Sequence, residues 1–205
     1  MSKNKIFVAC DAKNIQTIKK IIKQTQNSKL NIGYKFGLEF LNSKKGRKFV
    51  SKLKNNITFG DYKLADIPNT CASTIKAVKD LKFNYITIHI NSGYEALKAA
   101  KAVAGKTRLV GVSVLTSLDD KSLKEIGYNK SVEKIVLQQA KLANKAKLDG
   151  IVCSPMEANL VRKVFEKEII TPGIRFSSKK DDQKRTLTPK QAYKNGSDWL
   201  VIGRR

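Results

Sequence analysis

One histidine, His89, one tryptophan and three cysteines are all that 205 residues offer of the side chains that build metal sites, disulfides and stacking platforms. Cys10, Cys71 and Cys153 are odd in number, widely separated and form no CxxC pair, which argues against a zinc site and a disulfide framework. A serine–histidine–acid triad could draw only on His89, which follows Tyr85-Ile86-Thr87-Ile88 and so reads as a packing or rim residue at a strand end. No uninterrupted apolar stretch approaches the roughly 20 residues a membrane helix needs. Met1 to Lys5 leads straight into Ile6–Cys10 without a signal-type apolar region, so a soluble, unsecreted, cytoplasmic protein with no membrane partner is expected.

Acids are scarce too: 17 stand against 41 basic side chains, a formal charge of +24. Such a charge attracts polyanions by counterion release and opens a nucleic-acid-binding reading. That reading needs a clustered cationic face or aromatics arranged for base stacking. The basic residues are instead spread over almost every polar helix face, and Trp199 lies inside an apolar run that reads as core. No specific nucleic-acid partner is expected.

What the chain does have is 41% apolar residues in short runs, enough for one sizeable core and a single domain over residues 1–205. Eight runs read as strands: Ile6–Cys10, Asn31–Phe36, Ile57–Asp61, Tyr85–Ile90, Arg108–Val114, Gly150–Cys153, Glu168–Thr171 and Asp198–Ile202. Between them lie helical spacings, among them Ile15, Ile18, Ile21 and Ile22, then Ala72, Ile75 and Val78, then Val132 to Ala146 after a cap at Ser131. Strand–helix alternation on this scale means parallel strands joined by crossover helices, and eight units predict an α/β protein, a (β/α)₈ barrel of the TIM type. The eighth run lies against the end at Arg205, so the closing helix of the pattern is expected to be missing.

In such a barrel the chemistry sits at the C-terminal strand ends, here Asp11, Lys35, Asp61, Lys63, Thr116, Arg175 and Arg204. The densest group is Phe59-Gly60-Asp61-Tyr62-Lys63-Leu64-Ala65-Asp66-Ile67-Pro68-Asn69-Thr70. Two-residue spacing on a strand points Asp61 and Lys63 to one side, into the barrel mouth. Asp66 falls past the strand end, where Pro68 favours an extended Ile67 and Asn69 or Thr70 can cap the next helix. Lys35, inside Ile32-Gly33-Tyr34-Lys35-Phe36, faces the same region, and alternating carboxylates and ammonium groups there keep one another ionised.

Thr171-Pro172-Gly173-Ile174-Arg175 and Val201-Ile202-Gly203-Arg204 follow the seventh and eighth strands, the usual phosphate position of this fold. The polar stretch Phe176 to Leu187 reads as a phosphate-gripping lid, with Gln183 reaching down on closure.

These segments, with Val114-Leu115-Thr116-Ser117 and Asp182-Gln183-Lys184-Arg185, resemble orotidine 5′-phosphate decarboxylase of the bacterial type, in order and spacing from Asp11 to Arg204. The resemblance implies cofactor-free decarboxylation of orotidine 5′-monophosphate to uridine 5′-monophosphate, with no metal. It makes Lys63 the acid that protonates C6 and sets Asp61 against the departing carboxylate. It gives the ribose hydroxyls to Lys35 and Asp11, the pyrimidine to Thr116, and the phosphate to Arg175, Gln183, Gly203 and Arg204. Asp66, Ile67 and Thr70 would enter the site of the partner subunit in a homodimer with shared active sites. Family members usually continue after the terminal Gly-Arg with proline and a helix, and many bacterial members have histidine where Ala65 stands.

Two rivals remain at this point. One is the magnesium-dependent 3-keto-gulonate-phosphate decarboxylase and hexulose-phosphate synthase group, whose Asp-x-Lys-x-x-Asp core is similar but which places a metal-ligating glutamate where Lys35 stands. A protonated lysine cannot ligate Mg²⁺, which takes oxygen donors. The other is a basic nucleic-acid-binding protein on a barrel scaffold.

Overall fold

A computed structural model describes residues 4–12, 14–53, 55–175 and 185–203. Along the chain it contains β1 (Lys5–Ala9), α1 (Ile15–Thr25), β2 (Asn31–Phe36), α2 (Leu38–Leu41), α3 (Gly46–Val50), β3 (Ile57–Leu64), α4 (Pro68–Ala77), β4 (Tyr85–His89) and α5 (Gly93–Val103). There follow β5 (Arg108–Val112), α6 (Asp120–Glu125), α7 (Val132–Lys145), β6 (Gly150–Val152), α8 (Ala158–Arg162), β7 (Glu168–Thr171), α9 (Pro189–Lys194) and β8 (Trp199–Ile202). The eight strands pair in sequence order into a closed barrel, and β8 returns to β1 in parallel through Lys5↔Trp199 to Val8↔Ile202. The eight-stranded barrel expected from the sequence is therefore the fold. Among the described residues no helix is long and apolar enough to cross a membrane.

Strand ends move by a residue or two from the expected positions, except that β3 continues three residues past Asp61 to Leu64. Its pairing with β4 slips there: Gly60 faces Ile86 and Leu64 faces Ile88, so four steps of β3 stand against two of β4. Two helix caps also differ from expectation. Ser131 precedes α7 but makes no side-chain cap bond, and Asp120 Oδ1 accepts the Val132 N–H at 2.7 Å in its place. Ile67 holds the cap position of α4, with Pro68 in the first turn, where its missing N–H is harmless; Asn69 and Thr70 lie inside the helix.

The core has an inner and an outer layer. Between barrel and helices the apolar faces pack together, for example Ile18 of α1, Ile75 of α4, Leu97 of α5 and Val136 of α7, all buried. Inside the barrel an aromatic plug of Phe7, Phe59, Tyr85 and Trp199 fills the lower half, with Phe7 stacked on Trp199 at 4.1 Å between ring centres. Trp199 is thus core, as its place in an apolar run implied. Gly33 is required beside this plug, because a Cβ there would lie 2.6 Å from the Phe7 ring.

Below the plug Glu168 accepts hydrogen bonds from Trp199 Nε1 (3.1 Å), Tyr85 Oη (2.9 Å), Arg108 Nη1 (2.9 Å) and Lys5 Nζ (3.2 Å). These partners hold the Glu168 carboxyl below the usual carboxylate range against the opposing influence of its burial. In a chain short of acids, this one closes the floor of the barrel. The opposite end stays open.

Candidate active site

At the open, C-terminal end of the strands lies a cavity of about 470 Å³. Its floor is Phe59 on top of the aromatic plug, and its walls come from the ends of β1, β2, β3, β5, β6, β7 and β8. Asp11, Lys35, Asp61, Lys63, Thr116, Arg175 and Gly203 all line it, so seven of the expected site residues converge. Gln183 and Arg204 lie outside the described residues.

The charged groups form a chain of contacts. Lys35 Nζ lies 2.9 Å from Asp11 Oδ2 and 3.2 Å from Asp61 Oδ2, and Lys63 Nζ lies 2.7 Å from the same Asp61 oxygen. Order runs Asp11, Lys35, Asp61, Lys63, with signs alternating. Asp11 is steadied from the residue just after β2 as well, because Oδ1 accepts the Gly37 N–H at 2.8 Å. A side chain at Gly37 would collide with that carboxylate, since its Cβ would stand 2.5 Å from Oδ1.

Lys35 and Asp61 are each only 8% exposed. Burial, the largest influence on each, opposes charge; the neighbouring opposite charges outweigh it. Lys35 is therefore held above the usual lysine range by Asp61 and Asp11, and Asp61 is held below the usual carboxylate range by Lys35 and Lys63. Of the two ammonium groups in the network, Lys63 is the more open to the cavity and Lys35 the more buried.

Asp66, Ile67 and Thr70 do not line this cavity. They sit on the β3–α4 connection, in an exposed stretch from Ala65 to Thr70 where Ile67 is 66% exposed. Asp66 Oδ1 accepts the Ile67 N–H at 2.7 Å, which fixes the turn before Pro68.

Three side chains beyond those expected from the sequence hold the site. Thr87 on β4 hydrogen-bonds both to Asp61 and to the Lys63 backbone. Period-two alternation with Tyr85 and His89 was the signal that puts it inside the barrel. Arg185 and Glu157 form a buried ion pair at 2.5 Å behind the cavity wall, and Arg185 also donates to the carbonyls of Val114 (3.2 Å) and Leu115 (2.9 Å), just before Thr116. Arg185 closes the motif Asp182-Gln183-Lys184-Arg185, but nothing in its polar sequence surroundings signals burial. The segment expected as a lid is pinned at its far end by this residue and by Leu187, whose N–H and C=O bond Gly173 and Arg175.

His89 ends β4 half-buried, and its pKa is lowered by burial and then by Lys63, with Asp61 opposing. Cys10 and Cys153 are buried; burial pushes the Cys10 thiol up to about 12 and also raises that of Cys153, so both are neutral filler. Among the described residues no group of three or more His, Cys, Asp or Glu side chains is arranged to hold a metal ion.

A family model, orotidine 5′-phosphate decarboxylase / HUMPS, matches residues 4–205. The orotidine 5′-phosphate decarboxylase of Wolbachia pipientis (subsp. Culex pipiens, strain wPip) is 46% identical over 83% of this chain and 77% of its own length. That of Prochlorococcus marinus (strain MIT 9515) is 39% identical over 98% of this chain and 89% of its own. The crystal structure of orotidine 5′-phosphate decarboxylase from Lactobacillus acidophilus superposes with a TM-score of 0.82 at 31% identity, covering 98% of this chain and 90% of that one. With the whole barrel matched in sequence and in shape, the chain belongs to the orotidine 5′-phosphate decarboxylase / HUMPS family.

Proposed function

We infer that this chain is a carboxy-lyase that converts orotidine 5′-monophosphate to uridine 5′-monophosphate in pyrimidine biosynthesis, carried by a single barrel domain. The observation that carries this reading over the magnesium-dependent branch of the same family is Lys35. Its ammonium lies between Asp11 and Asp61, within 3.2 Å of both, in the place where that branch needs an oxygen ligand.

The chemistry follows from the alternating charges. A substrate carboxylate placed beside Asp61 meets a fixed like charge, which the ground state must tolerate and the departing carbon dioxide relieves. As the C6–carboxylate bond breaks, its electron pair stays on C6. Lys63 then supplies a proton to C6, and its neutral amine regains one from solvent. The same ammonium stabilises the carbanion electrostatically before it delivers the proton. Asp61 keeps Lys63 aimed at that position through the 2.7 Å contact, and Lys35 keeps Asp61 ionised.

The other lining residues take supporting parts. Lys35 and Asp11 hold the ribose hydroxyls and Thr116 meets the pyrimidine. Gly173, just past β7, has a left-handed backbone (φ 77°) and lines the cavity with Arg175 and Gly203; in this reading these residues take the phosphate. Gln183 and Arg204 complete that grip. Asp66, Ile67 and Thr70 serve the neighbouring site of a homodimer, a role supported by their exposure and by their absence from the lining of their own cavity.

The experiment is direct: the purified protein, in EDTA, is mixed with orotidine 5′-monophosphate and the fall in orotate absorbance is followed. Turnover in chelator is the expected result. No turnover with or without metal overturns the reading, and turnover that depends on added Mg²⁺ moves it to the sugar-phosphate branch.

A further inference from the structure

Thr87 is fully buried in the middle of β4, and it is not part of the cavity wall. It stands where the barrel ladder slips: Gly60 pairs with Ile86 and Leu64 with Ile88, so Thr87 faces the surplus residues of β3. Within that bulge Lys63 has φ 49°, a backbone region that residues other than glycine seldom enter. The Lys63 N–H is taken by Thr87 Oγ1 at 2.8 Å, and the same hydroxyl is 3.0 Å from Asp61 Oδ1. A hydroxyl carries one proton. The Asp61 carboxylate is an acceptor, so that proton goes to it and a lone pair is left for the Lys63 N–H.

We propose that Thr87 is a positioning residue of the decarboxylase: one hydroxyl holds the strained backbone under Lys63 and orients the Asp61 carboxylate. With Oδ1 engaged by Thr87, Oδ2 is turned to both ammonium groups, Lys63 at 2.7 Å and Lys35 at 3.2 Å. Asp61 and Lys63 otherwise meet only through flexible side-chain torsions. The shared hydroxyl ties the proton donor and its anionic neighbour to one rigid point on β4, which is how a site keeps reacting groups within a fraction of an ångström. The proposal rests on the decarboxylase reading of the cavity.

Thr87→Val keeps the shape and removes the hydroxyl, and Thr87→Ser keeps the hydroxyl. Thr87→Val is expected to lower kcat by roughly 10- to 100-fold, the range a hydrogen bond to a charged group spans, with KM little changed. Thr87→Ser should restore most of the loss. A second readout does not depend on turnover: the titration of Asp61 followed by carbon-13 NMR. Asp61 is surrounded by Lys63, Lys35 and, at the far side of Lys35, Asp11, with His89 close enough to sense the same charges. Loss of a donor to its charged form should move its midpoint up in Thr87→Val. A folded Thr87→Val with wild-type kcat, an unmoved Asp61 midpoint, or a Thr87→Ser as impaired as Thr87→Val would each overturn the proposal. If the wild-type chain leaves orotidine 5′-monophosphate unchanged, the decarboxylase reading fails, and the Asp61 titration still decides whether the hydroxyl holds that carboxylate.

Discussion

Lys63 Nζ lies 2.7 Å from Oδ2 of Asp61, two residues earlier in the same strand, and the Lys63 backbone is left-handed. Side-chain alternation alone would set the two residues on one face; the bulge against β4 is what departs from a regular strand and places the Lys63 N–H on Thr87. The contact has an energetic side as well. Asp61 is buried with two cations, so removal of either one leaves it still paired, and this redundancy lets function be tested apart from folding.

Lys63→Ala is expected to fold, because Asp61 keeps Lys35 at 3.2 Å. Its kcat should fall far beyond the roughly 10²–10⁴-fold of ordinary general-acid removal, since in the proposed mechanism the ammonium both stabilises the carbanion and protonates it. Steady-state kinetics together with a melting curve decide the matter. Near wild-type turnover would take Lys63 out of the chemistry.

The charge network should give a stability contribution that is flat across neutral pH. Asp61 has a lowered folded pKa, so its contribution is present above the unfolded value of about 3.9 and is lost as pH falls through the lower folded value. Lys35 has a raised folded pKa, so its contribution is present below about 10.4 and is lost as pH rises through the higher folded value. Urea midpoints of wild type and Asp61→Asn, measured against pH, should differ by a constant amount between those limits and converge at the acid end. A difference that drifts through pH 6 to 8 would place another titrating group in control.

Arg185→Met should destabilise the protein by about 3–5 kcal/mol, because it strands Glu157, 5% exposed, without its cation. It also releases the carbonyls of Val114 and Leu115 beside Thr116. Adding Glu157→Leu should recover part of the loss, since two apolar side chains replace a buried pair. Denaturant unfolding of the two single variants and the double variant tests this, and purely additive losses would contradict it.

The proposed sharing of sites between two chains predicts complementation. Lys63→Ala and Asp66→Ala chains, each nearly inactive, are unfolded together and refolded. Random pairing makes half of the dimers mixed, and each mixed dimer holds one site with both defects and one with neither. Activity should return to about a quarter of wild type. Mixed dimers verified by mass but without activity would assign Asp66 to its own chain's cavity.

Much of this was already written in the sequence. Eight apolar runs with helical spacings between them specify a parallel barrel, because a strand and a helix each bury one face and the crossover rule leaves few ways to do it. Asp11, Lys35, Asp61 and Lys63 could be placed together because strand ends in a barrel converge on one mouth whatever their separation in the chain. Tertiary structure alone decided the rest. Period-two logic cannot foresee a slip in pairing, so the left-handed Lys63 and the shared Thr87 hydroxyl became visible only once β3 met β4. Helix caps are supplied by whichever oxygen the fold brings near, which is how Asp120, eleven residues before Ser131, serves α7. Arg185 looked like one more cation in a chain with 41 basic side chains. What buried it was a carboxylate 28 residues away and two carbonyls 70 and 71 residues away, and long-range partners of that kind leave no mark on local sequence.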